Sequence, residues 1–433
     1  MGYQNALLKD VQTQRLVTLT SLGTLIHWYD FYILAQILPL LFKHQILVSQ
    51  QYFYIIGLVA TTIGFFIRPL GAIFFGNQID TIGRKVYFAR SLTLIAASSA
   101  LVALTPFQFI PTSLGIFILV ACRILQGFAL SMEYSASVSY IYESVPESKT
   151  GFFTALLQTM APLGFLGALL MVLIFKNLFG EVAFQDWGWR LVLLLGLPLL
   201  LLAQKVRKDL PESPEFSILK KRQELSKNPL KDLFASKNSL KIFLIALFAI
   251  AAPQGATFYL AHVFGSQYLQ QTWQLSTEIQ SFATILIIGL LWPITLIVGR
   301  LADRINQIHL FSMFLMFAIV FIPFCFYWLE LLRGMTTSYW LALIPLGCVY
   351  AISIGLYGVT AVNLAKLFPT KHRGIGVGLP YHIGNGIFGG LVTVMSGTQE
   401  LAAGKTWVPV LYTSTLCIIA LITIYFSKED LNF

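Results

Sequence analysis

Apolar stretches of about twenty residues, the length that crosses a bilayer as a helix, recur along the whole chain between short polar intervals. About twelve are predicted: roughly 17–40, 52–78, 87–106, 113–142, 150–175, 188–205, 240–269, 280–301, 308–329, 337–366, 374–398 and 406–427. The one long hydrophilic interval, about 206–239, falls between the sixth and seventh. It predicts an all-α polytopic membrane protein in three parts: a six-helix bundle over 1–205, a central loop over 206–239 and a second six-helix bundle over 240–433.

One stretch breaks the apolar pattern in an informative way. Gly115 to Glu143 reads GIFILVACRILQGFALSMEYSASVSYIYE, with Arg123 near one end and Glu133 near its middle. On a single helix these two lie roughly 15 Å apart. A charge facing lipid at such depth costs from about 3 to well over 10 kcal/mol. Both side chains must therefore face protein or a water-filled cavity. Gln126 and Glu133 share one helical face, flanked by Tyr134 and Ser137, so this helix has a lipid side and a polar side. A polar side inside a bundle is the wall of a path for something polar.

Composition agrees. Of 433 residues, 57% are hydrophobic and 11% charged, against about 25% charged in soluble domains. The net charge of +10 does not indicate nucleic acid, because its placement follows membrane insertion. Lys9, Arg15, Arg84, Lys85, Lys149, Arg300, Arg304, Lys366, Lys371, Arg373 and Lys428 fall on one side, with the basic residues of the central interval from Lys205 and Arg207 to Lys237. Only Lys43, Lys176, Arg333 and Lys405 fall opposite. Both termini and the central loop are therefore expected in the cytoplasm. No cleavable leader is expected, since the first apolar segment is too long and contains Asp30. The four cysteines stand singly in apolar segments, with neither disulfide nor metal spacing.

The halves repeat weakly. Gly76-Asn-Gln-Ile-Asp80, continuing to Gly83-Arg84-Lys85, follows the second span; Gly299-Arg300-Leu-Ala-Asp303-Arg304 follows the eighth. A parallel repeat of this length marks transporters whose substrate sits between two rocking halves. The shared turn reads as a cytoplasmic latch formed by Gly76, Asp80, Gly83, Arg84, Lys85, Asp303 and Arg304, and lacks the strand and glycine density of a phosphate loop. In the central interval, Pro211 and Pro214 are expected to end the sixth helix. A short basic amphipathic helix is expected beyond them, lying along the cytoplasmic face as a tether.

Five stretches carry a family resemblance. They are Gly23-Thr-Leu-Ile-His27-Trp28-Tyr29-Asp30-Phe31-Tyr32; Arg68-Pro69-Leu-Gly71 leading into the first latch; Arg123-Ile-Leu-Gln126-Gly127 with Glu133-Tyr134, Glu143 and Pro146; Trp189-Arg190 with Pro211 to Phe216; and Leu367-Phe368-Pro369-Thr-Lys-His-Arg373-Gly374-Ile-Gly376, ending at Gly389-Gly390. In this order they resemble the metabolite:proton symporter family of the major facilitator superfamily, which includes proline/betaine, α-ketoglutarate, citrate and shikimate permeases. The resemblance implies the major facilitator fold, alternating access and an inner-membrane location. His27 stands where that family has an acid, Ser131-Met132 where it has two glycines, and Thr81 where an arginine is common.

Asp30 and Glu133 are the deepest acids of the first half. Burial costs a charged carboxyl its solvation, which suits both to carry coupling protons, with Arg123 as the tuning cation. Solute contacts are expected from His27, Tyr29, Gln126 and Tyr134, and from Tyr259, His262, Tyr357, Tyr381, His382 and Asn385 in the second half. The three buried histidines sit on different helices without an acidic ligand set, so neither metal nor cofactor is expected. Nothing resembles a nucleophile–base pair, so an enzyme is not expected. The expected function is proton-coupled uptake of a small organic solute such as an organic acid, amino acid or betaine, by a monomer. A facilitator or exporter of the same fold, or a solute sensor that transports nothing, are the alternatives.

Overall fold

The computed structural model describes residues 2–41, 63–335, 339–397 and 407–431. The predicted second span therefore lies partly outside the described residues, as do Lys43 and Lys405. The described chain is helical throughout: α1 (Gly2–Ile37), α2 (Arg68–Ile82), α3 (Arg84–Leu104), α4 (Thr112–Ser144), α5 (Glu147–Phe179), α6 (Glu181–Asp209), α7 (Pro214–Arg222), α8 (Pro229–Leu233), α9 (Lys237–Gln270), α10 (Glu278–Ala302), α11 (Gln307–Arg333), α12 (Tyr339–Leu367), α13 (Arg373–Ile383), α14 (Gly390–Gly397) and α15 (Trp407–Phe426). Nine of these are long and apolar enough to cross a membrane by length and composition, among the described residues.

Two expectations need correction. The sixth helix does not stop near residue 205 but runs to Asp209, which carries Arg207 inside the protein. Pro214 does not merely end that helix. It opens α7 as its first residue, where a missing N–H costs nothing, and the Ser213 side chain accepts from the Phe216 amide as N-cap. The helix therefore starts inside the proline motif, and Phe216 is fully buried beneath it.

Sequence-distant helices meet along two seams. α2 packs on α13, and α5 packs on α10. Each seam is close because glycine removes a side chain. A Cβ on Gly76 would lie 3.0 Å from the Ile375 Cα, and one on Gly299 would lie 2.4 Å from the Ala155 Cβ. Within the second half, α9 contains two wide π-type turns, Ala246–Ala251 and Leu260–Phe264, and a third, Gly384–Gly389, joins α13 to α14. Such turns free backbone groups and gather at functional sites. They bring α9 against the 384–389 turn so tightly that a Cβ on Gly255 would sit 2.5 Å from the Gly384 carbonyl oxygen. Because that neighbour is backbone and cannot swing away, Gly255→Val is expected to cost about 1–3 kcal/mol. A lowered unfolding temperature of purified protein would register the loss, and an unchanged one would refute it.

Candidate functional site

Glu133 sits mid-way along α4 and is buried. Its carboxylate takes hydrogen bonds from Thr24 Oγ1 (2.5 Å) and Ser91 Oγ (2.7 Å). Arg207 grips it with both ends of its fork, Nη1 at 2.6 Å and Nη2 at 2.7 Å. Arg207 also donates to the Phe88 and Thr20 carbonyls at 3.0 and 3.1 Å, and its guanidinium lies 3.5 Å over the Phe88 ring. The sequence reading counted Arg207 among the loop cations and gave Arg123 the tuning role. The guanidinium on Glu133 is instead that of Arg207. The signal was present in the spacing: Gly196, Leu200, Ala203 and Arg207 form one buried stripe along α6. His27 Nδ1 lies 3.7 Å from Glu133, and neither ring nitrogen has a hydrogen-bond partner.

Asp30 is in a different situation. One carboxylate oxygen accepts from Ser99 on α3, and the other has no hydrogen-bond partner. No described cation lies within ion-pair distance, although the field of Arg123 reaches it. Arg123 donates to Gln126 Oε1 (3.0 Å) and the Phe31 carbonyl (3.3 Å), leaving Nε and Nη2 without partners. The two acids thus differ: Glu133 is saturated by donors, and Asp30 keeps an open oxygen.

Between the halves stands a residue noticed in the sequence only as part of a motif. Arg68, at the start of α2, is buried in a box of rings, with its guanidinium 4.6, 5.1 and 5.6 Å from the centroids of Phe65, Phe31 and Trp28. Its polar contact is the Tyr259 hydroxyl at 3.4 Å, and Nε and Nη2 have no partner. Beside it Tyr134 and Tyr381 stack face to face, centroids 3.3 Å apart and planes within 7°. His382 meets the Tyr134 ring edge-on, with both ring nitrogens unpartnered. A small cavity lined by Thr24, Trp28, Glu133, Tyr134, Gln158 and Tyr357, among others, opens at the same level.

The structure thus gathers Tyr134, Tyr259, Tyr357, Tyr381 and His382 near Arg68, and sets His27 against Glu133 and Gln126 on Arg123. Asn385 donates to Gln254 Oε1 on α9 at 3.0 Å. Two expected contacts point elsewhere. The Tyr29 hydroxyl bonds the Val192 carbonyl at 3.0 Å, and His262 bonds its own helix at Phe258 while stacking on that ring.

The cytoplasmic ends hold two matching contacts. Asp80 accepts from the Gly374 and Ile375 amides at 2.8 and 2.9 Å, capping the first turn of α13. Asp303 does the same for Gly151 and Phe152 on α5, at 2.7 and 3.0 Å. Both contacts use the positive N-terminal end of a helix. Asp303 lies just beyond its span, half-buried, and burial lifts its carboxyl above the usual range while the two amides pull it back. Around Asp80 the contact is reinforced by Arg84, named in the expected turn, together with Glu143, Thr370, Arg373 and Glu215, which were not. Arg84 bridges Asp80 (3.1 Å), Glu143 (3.0 Å) and the Thr370 carbonyl (2.5 Å). Arg373 reaches Glu143 (3.0 Å) and, from the central loop, Glu215 (2.7 Å). The central loop therefore shares in the same contact network through Glu215. Gly83 has φ +142°, and a Cβ there would strike Glu212, which receives the Lys85 amide at 3.3 Å. Arg304 is exposed.

Comparison with known proteins places this geometry. The ectoine/proline transporter of Corynebacterium glutamicum is 26% identical over 427 residues, covering 95% of this chain and 83% of its own. The α-ketoglutarate permease of Escherichia coli K12 is 28% identical over 380 residues, covering 86% and 83%. The E. coli K12 proline/betaine transporter is 25% identical over 442 residues, covering 98% and 85%. A solved structure of a proton:xylose symporter shares the fold, with a TM-score of 0.74 at 15% identity over 96% of each chain. The Major Facilitator Superfamily model matches residues 20–394. The chain belongs to the Major Facilitator Superfamily, and it is a multi-pass membrane transporter rather than an enzyme.

Proposed function

We propose that the protein is a proton-coupled symporter that takes up a small organic solute by alternating access, in the inner membrane, with both termini and the central loop in the cytoplasm. The observation that carries this reading is Asp30: a fully buried carboxylate with one oxygen free, held by a single hydroxyl and facing no cation within ion-pair distance. Such a group can accept a proton without first breaking an ion pair. Glu133, clamped by Arg207, is ill suited to that task, and its role is to hold the cavity wall. Solute occupies the centre between Trp28, Tyr134, Tyr357, Tyr381 and His382, where the Tyr134–Tyr381 stack must part to admit it. The two acid-to-amide contacts at the cytoplasmic ends close the inward path, and their release completes the cycle. The bundle boundaries proposed are 1–209 and 237–433, with the strap of α7 and α8 between them, working as a monomer in lipid.

The relatives named for proline, betaine and α-ketoglutarate support an organic solute, and do not choose among zwitterion, amino acid and organic acid. The coupling test uses proteoliposomes with an imposed pH gradient. Asp30→Asn is expected to lose accumulation against a gradient while retaining solute exchange at equilibrium. Uphill accumulation by Asp30→Asn at the wild-type level would remove Asp30 from the mechanism, and loss of exchange as well would mark it as a structural residue.

A further inference from the structure

The turn Thr370–His372 joins α12 to α13 at the cytoplasmic end of the seam, and His372 is the N-cap residue of α13. α2, α7, α8 and α13 all pack on this turn. The His372 ring is half-buried, and its Nδ1 is buried without a hydrogen-bond partner. A neutral imidazole tolerates that, because Nδ1 can be the bare acceptor. An imidazolium carries N–H on both nitrogens, so protonation would bury a charged donor with nothing to receive it.

The surrounding charges oppose protonation as well. Lys371 and Arg373 flank the ring in the chain, and the first turn of α13 presents the positive end of a helix. The acids on the neighbouring elements are already engaged. Asp80 of α2 holds the Gly374 and Ile375 amides and Arg84. Glu215 of α7 holds Arg373 and the Thr370 hydroxyl. Asp232 of α8 accepts from Ser226. Burial, and next the Lys371 charge, hold the imidazole below its ordinary value of 6.5; Asp232 pulls it back in part, and Arg373 lowers it further. The cover over the ring is moored to the other half: the Leu230 amide of α8 donates to Asn77 Oδ1 of α2 at 3.1 Å.

Resting on the reading that this seam closes the inward path, we propose that His372 is a cytoplasmic acid sensor, whose protonation opens the seam and holds the transporter inward-facing. When the halves part, α13 carries His372 away from α2 and into water, where nothing opposes its proton. The closed arrangement binds that proton less tightly than the open one. Closure is therefore unaffected well above pH 6.5, and it weakens as pH falls through that value. A single proton can shift the open-to-closed ratio by about tenfold between roughly pH 7.5 and 5.5. In a proton-coupled importer the consequence is a limit on uptake. Each cycle delivers acid to the cytoplasm, and an acid cytoplasm delays the return to the outward-facing state.

Spin labels on Ser148→Cys and Lys366→Cys read the seam, since both positions are exposed and α5 packs on α12 across it. Cys348, also exposed, is replaced by Ser throughout. The full chain in lipid nanodiscs is measured from about pH 7.5 to 5.5, without solute or gradient. The long-distance population, relative to the short, is expected to rise about tenfold more in the protein with His372 than in His372→Asn, which stays polar but cannot charge. Seam carboxylates are common to both proteins, so their titration cancels. An equal response in the two, or acid-driven closure that depends on His372, would overturn the proposal. Asp30→Asn separates this switch from coupling, because the His372-dependent factor is expected to persist in it. Disappearance of that factor in Asp30→Asn would assign the pH response to the coupling proton and end the sensor role. If the factor persists but proteoliposomes accumulate no solute under a pH gradient, the sensor stands and only the symporter reading is lost.

Discussion

Arg207→Gln is expected to destabilise the protein by about 3–5 kcal/mol, the cost of leaving a buried carboxylate without its cation. Glu133 would keep Thr24 and Ser91 but lose both charged bonds, at 2.6 and 2.7 Å. Arg207 would also vacate its place over Phe88 and its two carbonyl bonds. The informative variant is the double one. Glu133→Gln with Arg207→Gln removes both charges together, so no ion is stranded, and most of the loss is expected to be recovered. Lys241→Gln serves as a control, since its pair with Asp430 at 2.6 Å is half open to solvent and such pairs contribute about 0–1 kcal/mol. Unfolding temperatures of the three variants in one detergent make the comparison. A double variant no more stable than Arg207→Gln would mean that the pair acts through packing rather than charge.

The fold was largely legible because length and hydropathy are one-dimensional properties. Apolar runs near 240–269 and 308–329 became α9 and α11 with ends shifted by a few residues, and the repeated G-x-x-x-D turn became two acid-to-amide contacts. What was not legible depended on which way a charge turns. Arg207 follows an apolar helix and precedes a basic loop, so its position reads as solvated, yet its stripe with Leu200 and Ala203 turns it inward. Pro214 reads as a stop because proline cannot continue a helix, but proline also suits a first turn, and Ser213 decides between the two. Arg68 stood in a motif whose conspicuous feature was its proline and glycine. Among the described residues it has no acid within ion-pair distance, a property of the packed helices that no local window reveals. Glu143, Glu215 and Arg373 lie in three separate stretches of sequence, and only the seam between α2 and α13 makes them one network. Their convergence explains why the central loop begins with a folded helix rather than an open linker.

Asp80→Asn is expected to weaken closure of the cytoplasmic side by about 2 kcal/mol, a shift of roughly 30-fold toward the inward-open arrangement. An asparagine oxygen can still accept from one of the two amides, but its amide nitrogen then faces the other N–H and offers nothing to it. Ile375 is fully buried and Asp80 with it, so no water replaces the lost acceptor, and a buried unsatisfied donor costs about 1–3 kcal/mol. Arg84 keeps Glu143 as its partner, so the substitution strands no cation. The matching change at Asp303 should cost less, because Asp303 and Phe152 are only half-buried and water can take over the bond. Amide hydrogen exchange reads both contacts directly. In Asp80→Asn, the first turn of α13 should exchange roughly 30-fold faster, and the first turn of the 150–158 segment should quicken with it, because both contacts part in the inward-open arrangement. Asp303→Asn should quicken both segments by a smaller factor. If neither segment responds, closure rests on the Arg84, Glu143, Arg373 and Glu215 network instead, and the two aspartates only cap the helices on which they abut.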